Sequence, residues 1–290
     1  MPAARFEFLS PRSLAETLEI LSRYGDRARV LAGGTDLVPK LLRGTLRPEA
    51  VVSLRHVEEL RGLTFDPDRG LSIGAAVRHA EVMEHPDVRA HYPALVHALS
   101  QLATVQVRNM GTIAGNLCNA SPCADSAPIL LAREARLEIG GPAGSRSLPL
   151  SEFFLGPGRT SLAAGELLTA IRVPPPTPRA AFAFRSISGR SRVDMSAASV
   201  AAMVRLEDGR IAGARIFLGA VGPTALRAPR AEEVLRGGVP DDALLAQAGE
   251  AAAAESKPIS DVRATAAWRR RMVSVLARRA LAEAAERARA

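Results

Sequence analysis

The stretch Val30-Leu31-Ala32-Gly33-Gly34-Thr35-Asp36-Leu37 decides how this chain is read. An apolar run passes directly into two glycines, a hydroxyl residue and an acid, then into Leu37, the pattern of a strand turning into a helix. Glycines remove the Cβ atoms that hold a backbone away from a phosphate, so successive N–H groups can face one anion beside a helix N-terminus. On its own a glycine pair equally makes a plain turn. The spacing is neither that of G-x-G-x-x-G nor that of a P-loop. A second segment, Gly111-Thr112-Ile113-Ala114-Gly115-Asn116, again mixes glycine, threonine and an asparagine that tolerates left-handed backbone. Two such loops can grip a pyrophosphate from both sides, and a dinucleotide carries that group at its middle. Ser121 to Pro128 reads as a turn feeding a helix from Ile129 to Ala132. Within it Asp125 either accepts hydrogen bonds from a ribose or caps the helix.

Outward from these loops, strand and helix signals alternate. Phe6 to Leu9 reads as a short strand, and Ser13 with Glu16 forms a capping box for a helix that runs through Ser22 and stops at Gly25. Arg29 to Ala32 is a second strand, Asp36 to Leu42 a short helix and Ala50 to Leu54 a third strand. Gly62 to Phe65 and Leu71 to Ala75 form a hairpin, followed by helices around Arg78 to Met83 and Pro93 to Leu102. Gly140 to Gly144 turns another hairpin, and the proline-rich run Pro174 to Pro178 is the strongest boundary. Beyond it, Ala181 to Ile187, Ala197 to Leu206 and Arg210 to Ala220 read as strands, with Asp208-Gly209 as a hairpin turn. Helices near Ala243 to Glu255 and Arg263 to Arg287 close the sequence. The expected fold is α+β. A two-part α/β domain covers 1–176, with subdomains near 1–56 and 57–176, and an α+β domain with an antiparallel sheet and helices covers 177–290.

The 290 residues are 47% hydrophobic and 23% charged, a globular balance that excludes a disordered or fibrous chain. No apolar run reaches the ~18 residues needed to span a bilayer. Arg5, Glu7 and Arg12 stand where a signal peptide needs an apolar stretch. A cytoplasmic protein with no membrane span is expected. The net charge is +8, and eight arginines against three acids between Asp261 and Ala290 supply over half of it. There, with Asp261 as N-cap, Trp268, Met272, Val275, Leu276 and Leu281 recur at helical steps. The arginines around that stripe, Arg269, Arg270 and Arg278 among them, face either solvent or an acidic partner. With 4% aromatic residues and no helix-turn-helix, finger or RRM pattern, nucleic acid is not an expected partner. Cys118 and Cys123 are too few for a zinc or iron-sulfur site and read as buried thiols. His79, His85, His91 and His97 recur every six residues, a step that turns a helix by ~240° and shares no face. No metal site and no nucleophile-base pair emerges.

The motifs Ala32-Gly33-Gly34-Thr35-Asp36, Gln106-Val107-Arg108-Asn109-Met110-Gly111-Thr112-Ile113-Ala114-Gly115-Asn116 and Ala120-Ser121-Pro122-Cys123-Ala124-Asp125 together resemble one family. So do Phe153 to Thr160 and Glu166 to Pro174. The chain resembles, over nearly its whole length, the FAD-binding medium subunit of molybdenum hydroxylases, as in carbon monoxide dehydrogenase and xanthine dehydrogenase. The resemblance implies a PCMH-type FAD domain with FAD as cofactor. It implies that the pyrophosphate lies against Ala32, Gly33, Gly34, Thr35 and Asp36 and against Thr112, Ile113, Ala114, Gly115 and Asn116. Leu102 and Ala103 also match cofactor positions, Asp125 matches one near the adenosine ribose, and Leu168 one near the flavin. Arg185 stands where relatives often have lysine. In Gly189-Arg190-Ser191-Arg192-Val193-Asp194-Met195, Met195 replaces an aromatic residue that covers the flavin in relatives. The cysteine cluster of relatives with an extra iron-sulfur centre is missing.

The implied role is an oxidoreductase subunit that takes electrons from the [2Fe-2S] clusters of a small subunit, supplied by a large molybdopterin subunit, and passes them to an external acceptor. The three chains would assemble as a dimer of heterotrimers. A stand-alone flavin oxidase and a non-catalytic basic adaptor are the competing readings. A bulky residue at Gly33 or Gly115 is expected to block the cofactor and leave the fold largely intact.

Overall fold

The computed structural model describes residues 5–189 and 193–289. The N-terminal part runs β1 (Glu7–Leu9), α1 (Leu14–Tyr24), β2 (Ala28–Leu31), α2 (Leu37–Leu42) and β3 (Ala50–Ser53). Ser13 Oγ accepts from Glu16 N at 3.1 Å and Gly25 ends the helix at φ 53°. The capping box is only half made, because the Glu16 carboxylate accepts from Arg12 N rather than from Ser13 N. The strands pair in parallel in the order β1-β3-β2. The central strand is buried at every position, as its uninterrupted Ala-Val-Val-Ser run requires.

The second part runs β4 (Leu63–Asp66), β5 (Gly70–Gly74), α3 (His79–Glu84), α4 (Pro86–His91), α5 (Pro93–Gln101), α6 (Val105–Arg108), α7 (Ile113–Asn119) and α8 (Ser126–Ala132). It continues with β6 (Arg136–Gly141), β7 (Gly144–Pro149), the short ribbon β8 (Phe154–Gly156) and β9 (Arg159–Thr160), and β10 (Leu167–Val173). The five-stranded antiparallel sheet has the order β4-β5-β10-β6-β7, so the last strand inserts between the two hairpins. A bulge interrupts β10 between Leu168 and Ala170. The four histidines lie on or beside three different helices. The sequence reading does not include α4, α6 or the β8–β9 ribbon. The segment after Gly111-Thr112 is a helix, α7, rather than an open loop, and Pro86 pre-sets the first turn of α4.

The C-terminal part contains β11 (Ala180–Ser188), β12 (Ser196–Glu207), β13 (Arg210–Gly219), β14 (Leu226–Arg227), α9 (Pro229–Leu235), α10 (Asp242–Glu255) and α11 (Ala266–Arg289). Asp208 and Gly209 both take positive φ, 50° and 75°, the turn geometry that matches strand twist in a tight hairpin. Alternation along the strands divides this sheet between two cores. Phe182, Phe184, Ala201, Met203 and Phe217 pack with α5 and α8 of the second part. Ala183, Val200, Ala202, Val204, Ile216 and Leu218 pack under α9, α10 and α11. The sheet is a shared wall. Arg133 crosses that boundary, its guanidinium carbon 3.7 Å from the Phe182 ring centre and 4.8 Å from that of Tyr92. Such a desolvated cation–π contact stabilises by up to ~2 kcal/mol.

Asp261 does not cap the last helix. Thr265 does, its Oγ1 accepting from Trp268 N at 3.2 Å. Arg269 is 2% exposed and so cannot belong to a solvated or docking face, whereas Arg270 and Arg278 are exposed. The buried stripe of α11 is mainly Val273, Leu276, Ala277, Ala280, Leu281 and Ala284.

Candidate functional site

β2 ends at Leu31 and the chain turns through Ala32 to Asp36 into α2, with Gly34 in the left-handed region at φ 72°. Gly33 has a steric task. A Cβ there would lie 2.1 Å from Met110 O and 2.6 Å from Gly111 Cα, so the first loop rests directly on the backbone that precedes α7. This corrects the expectation that a bulky residue at Gly33 leaves the fold intact. The N–H groups of Gly33, Gly34, Thr35 and Asp36 donate to no described residue.

Across the gap, Thr112 caps α7 by accepting from Gly115 N at 2.9 Å. Lys40 Nζ donates to Asn119 Oδ1 at 2.7 Å, and Asn119 Nδ2 donates to Asp36 Oδ1 at 3.1 Å. These bonds tie α2 and the first loop to the end of α7. Ser126 Oγ donates to Asn116 Oδ1 at 2.6 Å, which fixes the far side of α7 to α8.

Between the two segments and the start of the C-terminal sheet lies a cavity of about 630 Å³, within the usual range for a small-molecule site. Ala32, Gly33, Gly34, Thr35, Asp36, Leu102, Ala103, Thr112, Ala114, Gly115, Asn116, Asp125, Leu168 and Met195 all line it. Two residues implied by the sequence do not. Ile113 points into the core with no exposed surface, and Arg185 pairs with Glu283 of α11 at 2.6 Å. Arg190, Ser191 and Arg192 lie outside the described residues, while Val193 and Asp194 line the cavity. Sequence reasoning missed Lys40, His79, Asn119 and Cys123 on the wall. Leu168 sits at the bulge of β10, the device that turns a strand residue toward a site.

Burial shifts four titratable groups on the wall, His79, Asp125, Cys118 and Cys123, toward their neutral forms. Burial holds His79 down at about 4, helped by the charge of Arg108, and its ring Nδ1 has no partner among the described residues. The His79 backbone N–H donates to Gly111 O at 2.9 Å, which places the imidazole where a side chain at Gly111 would stand. Asp125 is 6% exposed, and its Oδ2 accepts from Ser196 Oγ at 2.7 Å. Burial raises its carboxyl to about 6 against the lowering effect of the Ser196 and Ser199 hydroxyls. Cys118 and Cys123 are half-buried on the cavity wall rather than in the core. Burial pushes the Cys118 thiol up to about 12 and also raises Cys123. Neither is a ready thiolate nucleophile. The arrangement suits binding of an anionic, partly apolar ligand better than acid–base or nucleophilic chemistry.

Residues 4–176 match the family described as the FAD binding domain in molybdopterin dehydrogenase, and residues 164–284 match the CO dehydrogenase flavoprotein C-terminal domain. The chain belongs to this flavoprotein family. The xanthine dehydrogenase FAD-binding subunit of Escherichia coli O157:H7 is 32% identical over 282 residues, covering 96% of this chain and 97% of that one. The carbon monoxide dehydrogenase medium chain of Hydrogenophaga pseudoflava is 32% identical over 277 residues and 96% of each chain. In the solved structure of reconstituted CO dehydrogenase from Oligotropha carboxidovorans, one chain superposes with a TM-score of 0.94 at 32% identity, covering 99% of this chain and 100% of that one. The flavoprotein is thus an FAD-binding subunit of the molybdenum hydroxylase family and an oxidoreductase component, with the α+β fold expected from its sequence. Among its described residues no helix is long and apolar enough to cross a membrane.

Proposed function

We propose that this subunit holds FAD in the cavity between the first loop and α7 and acts as the electron-transfer flavoprotein of a three-subunit molybdenum hydroxylase. It receives electrons from the [2Fe-2S] clusters of a small subunit, which a molybdopterin large subunit supplies, and delivers them to an external acceptor. Two such heterotrimers pair. The observation that carries this reading is the row of N–H groups from Gly33 to Asp36 that have no partner among the described residues, in a loop lining a cavity large enough for a cofactor. Backbone N–H groups left without partners fit a pyrophosphate, which supplies several anionic acceptors at once.

In this reading Ala32 to Asp36 and Thr112 to Asn116 hold the pyrophosphate, with the buried Ile113 serving only as core beneath it. Lys40 adds positive charge beside the first loop. Asp125 takes the ribose, and Leu102, Ala103, Leu168 and Met195 flank the flavin. Arg185 is left out, because its guanidinium is paired with Glu283. Bound FAD exchanges electrons singly or in pairs, which joins one-electron clusters to a two-electron acceptor. The chain's own residues bind, orient and exclude water. The neutral His79 and the protonated Cys118 place no competing charge or nucleophile on that wall. We divide the chain at the proline-rich run into a cofactor domain over 1–176 and a C-terminal domain over 177–290.

The purified chain titrated with FAD should take up one flavin, with the yellow absorbance of a bound isoalloxazine, and should hydroxylate no heterocycle, aldehyde or carbon monoxide alone. A chain that takes up no flavin overturns the proposal. Turnover by chain and FAD without other subunits would make it a stand-alone oxidase.

A further inference from the structure

The charged group formed by Asp261, Arg263 and Arg269 takes no part in the site described above and lines none of it. Arg269 is the most deeply buried member, at 2% exposed. Its Nη1 donates to Ala197 O at 2.7 Å and to Ala220 O at 3.1 Å, and its Nη2 donates to Asp261 Oδ1 at 2.7 Å. The two carbonyls belong to the start of β12 and the residue just after β13. Each of these strand ends is bonded to the segment from Ser121 to Asp125. Next to Ala197, Ser196 Oγ donates to Asp125 Oδ2 at 2.7 Å, and Ala220 N donates to Pro122 O at 2.9 Å. One guanidinium therefore ties together two strand ends, each of which is bonded by its own groups to the segment that contains the cavity-lining Ser121, Cys123 and Asp125.

The connector between α10 and α11 completes the arrangement. Lys257 N donates to Val221 O at 2.7 Å, following the turn after β13. Asp261 accepts from the N–H groups of Arg263 and Ala264 at 2.9 and 3.2 Å. Those bonds and the Arg269 guanidinium hold its carboxyl down at about 2. Arg263 Nη1 reaches Asp261 Oδ2 at 3.3 Å, while its Nη2 donates to Met195 Sδ at 3.7 Å. A side chain that only filled space would not need charge here, since burying a guanidinium is expensive unless its donors are satisfied. Here Nη1 meets two carbonyls and Nη2 a carboxylate, while Nε has no partner among the described residues.

We infer that Asp261, Arg263 and Arg269 form a clamp that positions the Met195–Ala197 wall and the Asp125 carboxyl toward the bound cofactor. They are positioning residues, since none touches the cavity. The inference rests on the FAD reading above and adds what holds one wall of that site in place. Arginine suits the task because its planar fork satisfies two carbonyls and a carboxylate at fixed angles, which a lysine cannot do.

The test uses the full chain and FAD, following three readouts. These are FAD affinity by quenching of flavin fluorescence, circular dichroism in the visible flavin bands, and the melting temperature of the flavin-free chain. Arg269→Met should weaken FAD at least tenfold and alter the flavin dichroism, and Arg269→Lys should recover part of both. Arg133→Met, which removes another buried arginine, one packed on Tyr92 and Phe182 away from the cavity, is the comparator. It should lower the melting temperature without altering flavin dichroism. Equal losses of affinity and equal spectra for Arg269→Met and Arg133→Met would reduce the clamp to general stability and overturn the inference. Should Arg269→Met fail to fold, Arg263→Met decides, because its side chain is 27% exposed and belongs to the connector rather than to the core. A changed flavin dichroism at unchanged melting temperature supports the clamp, and unchanged dichroism and affinity overturn it. Wild-type chain that binds no FAD overturns the underlying reading, whereas tight binding by wild type and by every variant overturns the clamp alone.

Discussion

The two glycine-bearing segments look alike as sequence and behave differently as structure. In the first, Gly33 exists for contact with the other segment, and the N–H groups from Gly33 to Asp36 have no partner among the described residues. In the second, Thr112 has already engaged Gly115 N, so that segment is a finished helix start whose polar groups are partly committed. A glycine by itself reports only that a Cβ is unwelcome. Whether the space belongs to a ligand or to a neighbouring strand of backbone depends on the partner loop, which lies far away in sequence.

That contrast orders the expected effects of mutation. Gly33→Val should be the most damaging. Its Cβ would collide with backbone, which cannot swing aside like a side-chain tip, so the two segments must part at a cost of about 3 kcal/mol. Loss of FAD binding should accompany a lower melting temperature in the flavin-free chain. A Gly33→Val chain that keeps wild-type stability and loses only FAD would mean that the loops do not rest on each other. Thr112→Val comes next. Removing an N-cap hydroxyl costs about 1 kcal/mol and leaves Gly115 N unpaired, so stability and FAD affinity should fall modestly, with Thr112→Ser close to wild type. Identical melting curves for the valine and serine variants would contradict the cap. Gly115→Ala should be milder, because its Cβ meets only Thr112 Oγ1, at 3.0 Å, and a few tenths of an ångström of relief suffice. FAD affinity should drop less than about fivefold, or about 1 kcal/mol. A complete loss would give Gly115 the role that the structure gives to Gly33.

The smallest effect concerns pH in the flavin-free wild type. Asp125 normally titrates at 3.8 and in the fold at about 6, so its contribution to stability is full below 3.8 and is lost as pH rises through 6. His79 normally titrates at 6.5 and in the fold at about 4, so its contribution is full above 6.5 and is lost as pH falls through 4. The slopes oppose each other between 4 and 6 and largely cancel. Relative to wild type, His79→Gln should gain stability on acidification through this window, and Asp125→Asn should lose it. Three parallel profiles of melting temperature against pH would show that neither group titrates as its burial requires.

Much of this site was legible where the signal was local. The turn from β2 into α2 follows from Gly33-Gly34 after an apolar run, and Asp208-Gly209 dictates its hairpin. Lys40, Asn119 and His79 were illegible because they reach the wall only through tertiary contact. Asn119 joins Lys40 and Asp36 across the gap between α7 and α2, and nothing in any of the three segments announces the others. Arg269 is an instructive error. Charge suggested a surface, yet Arg269 lies four residues before Val273 on the stripe that continues through Leu276, Ala280 and Ala284. The helical period alone places it inside. Asp261 was misread for the converse reason. Its carboxylate binds nearby N–H groups as a cap would, but the helix begins after Thr265, and the acid serves the connector and Arg269 instead.

The sheet divided between two cores has a consequence for inheritance. Family boundaries cut this flavoprotein near its proline-rich run, which invites the picture of two exchangeable modules. A C-terminal piece severed there would turn Phe182, Phe184, Met203 and Phe217 toward water, and the remaining piece would expose the surfaces of α5 and α8 that now cover them. Each fragment would carry a contiguous apolar face of the kind that drives aggregation. Alternate residues of β12 answer to different neighbours, so a substitution that suits one core constrains the next position through the other. The halves should therefore have diverged in step, and chimeras that join one relative's front half to another's back half should succeed only when this strand is exchanged together with the surfaces on both of its sides.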